Sequence, residues 1–207
     1  MAKSKVKSLT DQVYEHILEK IRFGELTEGC KIDEATLIEE TGTSRTPIRE
    51  ALLKLASDHV LEAVPRKGFF VKGHSAQELY NAYSIIACLE SFAIRKSLDQ
   101  LDEYDYSKMA NLIELMDIAI NFQDYPRYVE NQELFHAYCI SKADNETLLD
   151  VISYIKKQFP RQTYYSDDPE KQADLLRKSN EQHRQILQAI RTHDVENLEK
   201  LLMAHWV

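Results

Sequence analysis

Residues 43–60 read TSRTPIREALLKLASDHV, and the rest of the chain is understood through this stretch. Ser44 stands at the N-cap position. Pro47 falls in the first turn, where its missing N–H breaks no intrahelical bond, and Ile48, Ala51, Leu52 and Leu55 recur at helical spacing. The pattern predicts a short helix with those four apolar residues turned inward. Arg45 and Arg49 lie four residues apart and share a face near the helix N-terminus, where Thr46 and the unbonded backbone N–H groups also point outward. Two guanidinium forks at the positive end of a helix suit phosphates and the O6/N7 edge of guanine. The same segment, taken alone, also reads as a solvated surface helix with two arginines, so its neighbours decide.

Upstream, Val13, Ile17 and Ile21 recur every four residues between Thr10 and Phe23, with Tyr14 and Leu18 beside them and Gly24 placed to end a first helix. Lys3, Lys5 and Lys7 precede it in a stretch without apolar period, which we read as a flexible basic arm. GELTEGCKI is a turn-rich connection, after which Asp33 caps a short helix that turns Leu37 and Ile38 inward and stops at Gly42. Downstream, VLEAVPRKGFFVK (60–72) changes period. Leu61 and Ala63, then Phe69 and Val71, flank a Pro-Arg-Lys-Gly turn, as in a two-stranded hairpin. Two short helices, a tight turn and a hairpin make a winged helix-turn-helix. The hairpin tip offers Arg66 and Lys67, with Gly68 allowing close backbone approach to a groove or a phosphate.

The run from Leu9 to Val71 resembles, from end to end, the winged helix-turn-helix of GntR-family bacterial transcriptional regulators. The G-x-L-x-x-G turn, SRTPIREAL and RKGFFV carry the likeness. The resemblance implies that Ser44, Arg45, Thr46 and Arg49 contact operator DNA and that Arg66, Lys67 and Gly68 contribute from the wing.

A formal charge of −8 is unusual for such a partner, but its distribution is informative: residues 1–72 hold 12 Lys+Arg against 12 Asp+Glu, so all of the net negative charge follows residue 72. We therefore expect two domains, a winged helix-turn-helix at 1–73 and a second domain at 74–207. The second stretch has no strand-like alternation and divides into six helical segments, giving a mainly α chain that ends in an all-α bundle. No run of about 18 apolar residues exists and the N-terminus lacks an apolar signal core, so the expected setting is the cytoplasm, without a membrane. Three cysteines, far apart and without C-x-x-C, argue against a disulfide framework and a zinc ribbon, and they read as reduced core residues.

Histidines mark the bundle. If the chain reverses between His193 and Asp194, His183 lies ten residues before the reversal and His205 eleven after it. At about 1.5 Å per residue, both then sit at one height on neighbouring antiparallel helices. His136 is a third, with Gln132 one turn below and Glu133 on the adjoining edge. Three neutral imidazoles and an oxygen donor suit Zn, Ni or a similar divalent ion, with coordination left open. The helical region also resembles the FCD effector domain of the FadR subgroup, of the shorter, VanR-like six-helix type. That resemblance implies a metal inside the bundle on His136, His183 and His205, with an acid four residues before the first histidine. Here that residue is Gln132, a weaker neutral donor. It also implies an arginine four residues before the Leu-Glu of the first bundle helix, to clamp an effector carboxylate. This chain has Ile86 there.

The expectation is a homodimeric, ligand-responsive regulator that binds double-stranded operator DNA, with repression the commoner outcome in such a family, and with a small-molecule effector in a metal-assisted pocket. The alternatives are the same regulator with a metal-free pocket for an apolar or acyl ligand and, more remotely, a metalloenzyme that activates water on the three histidines. No general base accompanies those histidines in the sequence, and an enzyme would leave the reading head without a purpose.

Overall fold

The computed structural model describes residues 7–160, 166 and 168–207, so Lys3 and Lys5 of the expected basic arm lie outside the described residues. Helix α1 (Leu9–Arg22) opens on Ser8, whose hydroxyl oxygen accepts from the Asp11 N–H at 3.1 Å, and buries Val13, Tyr14, Ile17, Leu18 and Ile21. Gly24 follows with φ 74°, and its N–H donates to the Ile21 carbonyl at 3.2 Å. Helix α2 (Glu34–Thr41) is capped by the Asp33 side chain on the Ala35 N–H and is stopped by Gly42 at φ 64°. That left-handed turn returns the chain into α3 (Arg45–Ser57), which buries Ile48, Ala51, Leu52 and Leu55, the four residues its spacing selects. The helices α1, α2 and α3 close over one apolar core with Ile32, Leu37, Val60, Leu61 and Val71.

Strands β1 (Leu61–Val64) and β2 (Gly68–Val71) pair antiparallel, Leu61 opposite Val71 and Val64 opposite Gly68. Arg66 at φ 64° and Gly68 at φ 103° turn the tip, and glycine adopts the second of these without steric cost. Leu61 and Val71 are buried, whereas Ala63 is exposed, so the expected inward alternation holds only at the base of the hairpin. The segment before α2, read from sequence as a plain connection, lies along the free edge of β2. Ile32 N–H donates to the Phe69 carbonyl, Val71 N–H to that of Cys30, each at 2.9 Å, and Lys31 forms an isolated bridge with Phe70.

A second unit comprises Ala76–Ile155 and Ser166–Val207, while the residues up to Ser75 cluster with a segment beginning at Lys156. The remaining helices are α4 (Ala76–Ser97), α5 (Glu103–Asn121), α6 (Tyr125–Ser141), α7 (Glu146–Gln158), α8 (Pro169–Arg191) and α9 (Val195–Trp206), with a 3-10 turn at Leu98–Gln100. This is the mainly α architecture expected, with the two strands of the wing as its small sheet. Helix α5 packs on α6 and α8, α4 on α6 and α9, and α8 on α9.

Each helix start has a local cause. Asp102 and Asp105 form a reciprocal capping box at α5, Asp124 caps α6 ahead of Pro126, and Asp168 and Asp194 cap α8 and α9. Asp105 also accepts from Tyr138 Oη at 2.5 Å and from Lys142 Nζ at 2.6 Å, tying the first turn of α5 to the last of α6. Replacing Asp102 with Ala removes one half of the box and is expected to lower unfolding stability by about 1 kcal/mol, read by denaturant titration. Of the cysteines, Cys139 is buried, Cys30 half-buried and Cys88 exposed, so the expected core placement holds fully only for Cys139.

Candidate nucleic-acid interface and candidate metal centre

Ser44, Arg45, Thr46 and Arg49 are all exposed at the first turns of α3, and Arg66, Lys67 and Gly68 are exposed at the hairpin tip. Ser44 occupies the N-cap position read from the sequence, with extended backbone, although its hydroxyl makes no capping hydrogen bond. The reason lies in Pro47, the third helical residue, which has no N–H to donate where a capping serine commonly finds its donor. Arg49 Nε donates to Glu34 Oε2 at 3.1 Å, and Arg45 Nε stands 4.0 Å from the same oxygen. Glu34, Arg49, Leu53, Arg66, Gly68 and Phe69 line one groove between α3 and the hairpin. The face is therefore a pair of cations on a rigid helix beside a basic turn, open to an anionic partner.

In the helical unit, His136 on α6, His183 on α8 and His205 on α9 converge, one nitrogen of each lying within 4.8 Å of the other two, and the three residues are 2%, 0% and 2% exposed. The reversal counted from the sequence is present. His193 at φ 53° and the Asp194 cap turn α8 into α9, and the rings of His183 and His205 meet at 4.5 Å between centroids. Nε2 of His136 is 3.1 Å from Nε2 of His205 and 3.3 Å from Nε2 of His183.

The other ring nitrogens fix the tautomers. His136 Nδ1 donates to Glu90 Oε2 at 3.0 Å, His183 Nδ1 to Asn180 Oδ1 at 3.3 Å and His205 Nδ1 to Gln182 Oε1 at 3.1 Å. The two amides are themselves oriented, since Asn180 Nδ2 donates to the Ile113 carbonyl and to Asp117, and Gln182 Nε2 donates to the Ala204 carbonyl. Oxygen acceptors on all three Nδ1 atoms place the ring protons there and leave three Nε2 lone pairs facing one another without a proton between them. Nitrogen atoms at bonds of about 2.1 Å to one ion, at angles of about 90° to 110°, lie about 3.0 to 3.4 Å apart. The two separations fall in that interval, so the donor set fits a divalent cation of the zinc type, and the three oxygen partners are the outer contacts such ligands use.

Glu90, Asn180, Gln182 and Trp206 are functional candidates that sequence reasoning missed. Trp206 Nε1 donates to Glu90 Oε2 at 2.8 Å, the oxygen that His136 also uses, and Glu90 is 1% exposed. On α4 the apolar Leu89 is only half-buried, and its acidic neighbour Glu90 takes the interior place. A clue was available in Asn180, one helical turn before His183 and so on its face. Gln132 is buried one turn before His136, Glu133 lies exposed, and Ile86 is fully buried one turn before Glu90.

Residues 9–71 match the model of the bacterial regulatory proteins of the gntR family, and residues 81–207 match the FCD domain. The HTH-type transcriptional regulator McbR of Escherichia coli K12 is 26% identical over 97% of this chain and 90% of its own length. The gluconate operon transcriptional repressor of Bacillus subtilis is 26% identical over 84% of this chain and 72% of its own. The solved structure of E. coli McbR/YncC superposes with a TM-score of 0.80 at 25% identity, covering 97% of this chain and 94% of that one.

Proposed function

Because the chain belongs to the GntR-type regulators that carry an FCD domain, and so to transcriptional regulators rather than enzymes, we propose that it is a dimeric, ligand-responsive repressor whose α3 helices read the major groove of operator DNA. The observation that carries this reading is the division of α3. Its apolar stripe is buried without exception, while Ser44, Arg45, Thr46 and Arg49 all stand exposed beside the basic hairpin tip. We assign residues 1–73 to DNA binding and 74–207 to effector binding and dimerisation, and place the protein in the cytoplasm with its DNA. No described helix is long and apolar enough to cross a membrane.

One short helix reads only a few base pairs, so two-fold pairing onto half-sites multiplies specificity. Exposed apolar stripes suited to that pairing run along α4, at Ile85, Cys88 and Phe92, and along α5 and its C-cap, at Leu115, Ile118 and Phe122. Light scattering of the purified chain should give twice the mass of one chain; a monomer at micromolar concentration removes the dimer.

The three histidines would hold a zinc-type ion by Nε2, and that ion would offer open positions to an anionic or carbonyl oxygen of an effector. Around it, Glu90, Asn180 and Gln182 keep the imidazoles in the ligating tautomer, and Trp206 ties Glu90 to the end of α9. An effector changes DNA affinity only through different affinities for two arrangements of the reading heads. With Ile86 rather than a cation on the inward face of α4, the effector class is a largely apolar molecule, or an acid held through the ion alone. Native mass spectrometry separates these outcomes, since an ion, a copurified apolar ligand and the dimer appear in one spectrum. The Lys67→Ala variant tests the wing: it should weaken binding to all duplexes alike and flatten the dependence of log affinity on log salt by about one unit. Unchanged slope and affinity would remove the wing from the interface.

A further inference from the structure

Glu34 is the first residue of α2, yet its side chain serves α3. Its Oε2 accepts the Arg49 Nε hydrogen bond at 3.1 Å and lies 4.0 Å from Arg45 Nε, so one carboxylate answers both exposed arginines. The acid is 27% exposed and the arginines 62% and 71%, which leaves the cations accessible while the anion sits behind them. The cap of α2 belongs to Asp33, so holding the helix is not the task of Glu34.

A guanidinium has five N–H donors. Arg49 commits its single Nε–H to Glu34, and the four on its two terminal nitrogens remain for an outside partner. Such an end-on pair matches O6 and N7 of a guanine. A carboxylate within hydrogen-bond reach has the opposite effect on a phosphate oxygen, because it cancels part of the positive charge that would attract the backbone and repels the phosphate itself. Glu34 also lines the groove shared by Arg49, Arg66 and Gly68, where a duplex would pass.

Resting on the DNA-binding reading above, we propose that Glu34 is a positioning residue that sets specificity, aiming Arg49 at a base edge and disfavouring phosphate contacts on every sequence. Replacing it therefore strengthens binding to the wrong DNA. Glu34→Gln keeps an oxygen acceptor and removes the charge, whereas Glu34→Ala removes both.

The probes are the duplex that the wild-type full chain enriches most from a random 30-base-pair pool and an unrelated duplex of equal length, each titrated at several salt concentrations. Both variants should bind the unrelated duplex about threefold or more tightly than wild type, and their log affinity against log salt should steepen by about one unit, since one more uncompensated cation displaces counterions. In Glu34→Ala the ratio of enriched to unrelated affinity should fall about tenfold, because Arg49 also loses its orientation. An enriched duplex whose affinity ratio and salt slope are the same in wild type and both variants overturns the role of Glu34 and leaves DNA binding standing. A wild type that enriches no sequence overturns the DNA-binding reading and this inference with it.

Discussion

Elemental analysis of the chain purified without a histidine tag should return about one equivalent of divalent metal, and His183→Ala should lose it. His183 is fully buried and its Nε2 lies 3.3 Å from that of His136, so no surface rearrangement supplies a substitute donor. A ligand that binds only the folded state stabilises it by about 4 kcal/mol at a thousand times its dissociation constant. For a chain of this size that is a melting temperature about 8 to 16 °C higher with zinc than after chelation. His193→Asn, at an exposed turn position, should keep both the metal and the shift. A metal-free chain whose melting temperature zinc leaves unmoved would mean that the three lone pairs are not a metal site.

The second large effect is on DNA. Arg49→Ala should weaken binding to the preferred duplex by about 1 to 3 kcal/mol and relax the preference at one base-pair position in each half-site. The size follows from the loss of a bidentate contact to a base edge, and Arg49 is the arginine that Glu34 holds by hydrogen bond. Lys67, by contrast, is exposed at the hairpin tip, and its ammonium is expected to act through charge alone. The two variants therefore separate by kind: one changes which sequence is preferred, the other changes affinity for all sequences. An Arg49→Ala chain with unaltered sequence preference would place the reading of bases elsewhere.

What was legible in the sequence was whatever local chemistry decides. The four inward residues of α3, the glycine that ends α2 and the RKG tip each follow from periodicity or backbone preference within a few residues, and each is where it was expected. The meeting of His183 and His205 was also legible, because the Asp194 cap sets a reversal from which helical rise can be counted. His136 was named as a third histidine by residue type, but its grouping with that pair rested largely on resemblance, since nothing local relates α6 to it. Glu90 escaped because periodicity ranks apolar residues and passes over a buried carboxylate; long-range partners, His136 and Trp206 among them, make its burial tolerable. The idle hydroxyl of Ser44 was missed for a smaller reason, the absence of an N–H on Pro47. The edge pairing of residues 29–32 with β2 is likewise a tertiary choice, in a segment whose glycine and threonine read as turn.

Dimethyl sulfate footprinting of the enriched duplex, with wild-type and Arg49→Ala chains, bears most directly on a reading head built from α3, because the reagent attacks guanine N7 in the major groove. Expected are protected guanines in two half-sites about 10 base pairs apart, with one protection per half-site lost in the variant. Guanines that methylate equally with and without the wild-type chain, at concentrations where the duplex is bound, would show that α3 does not occupy the major groove.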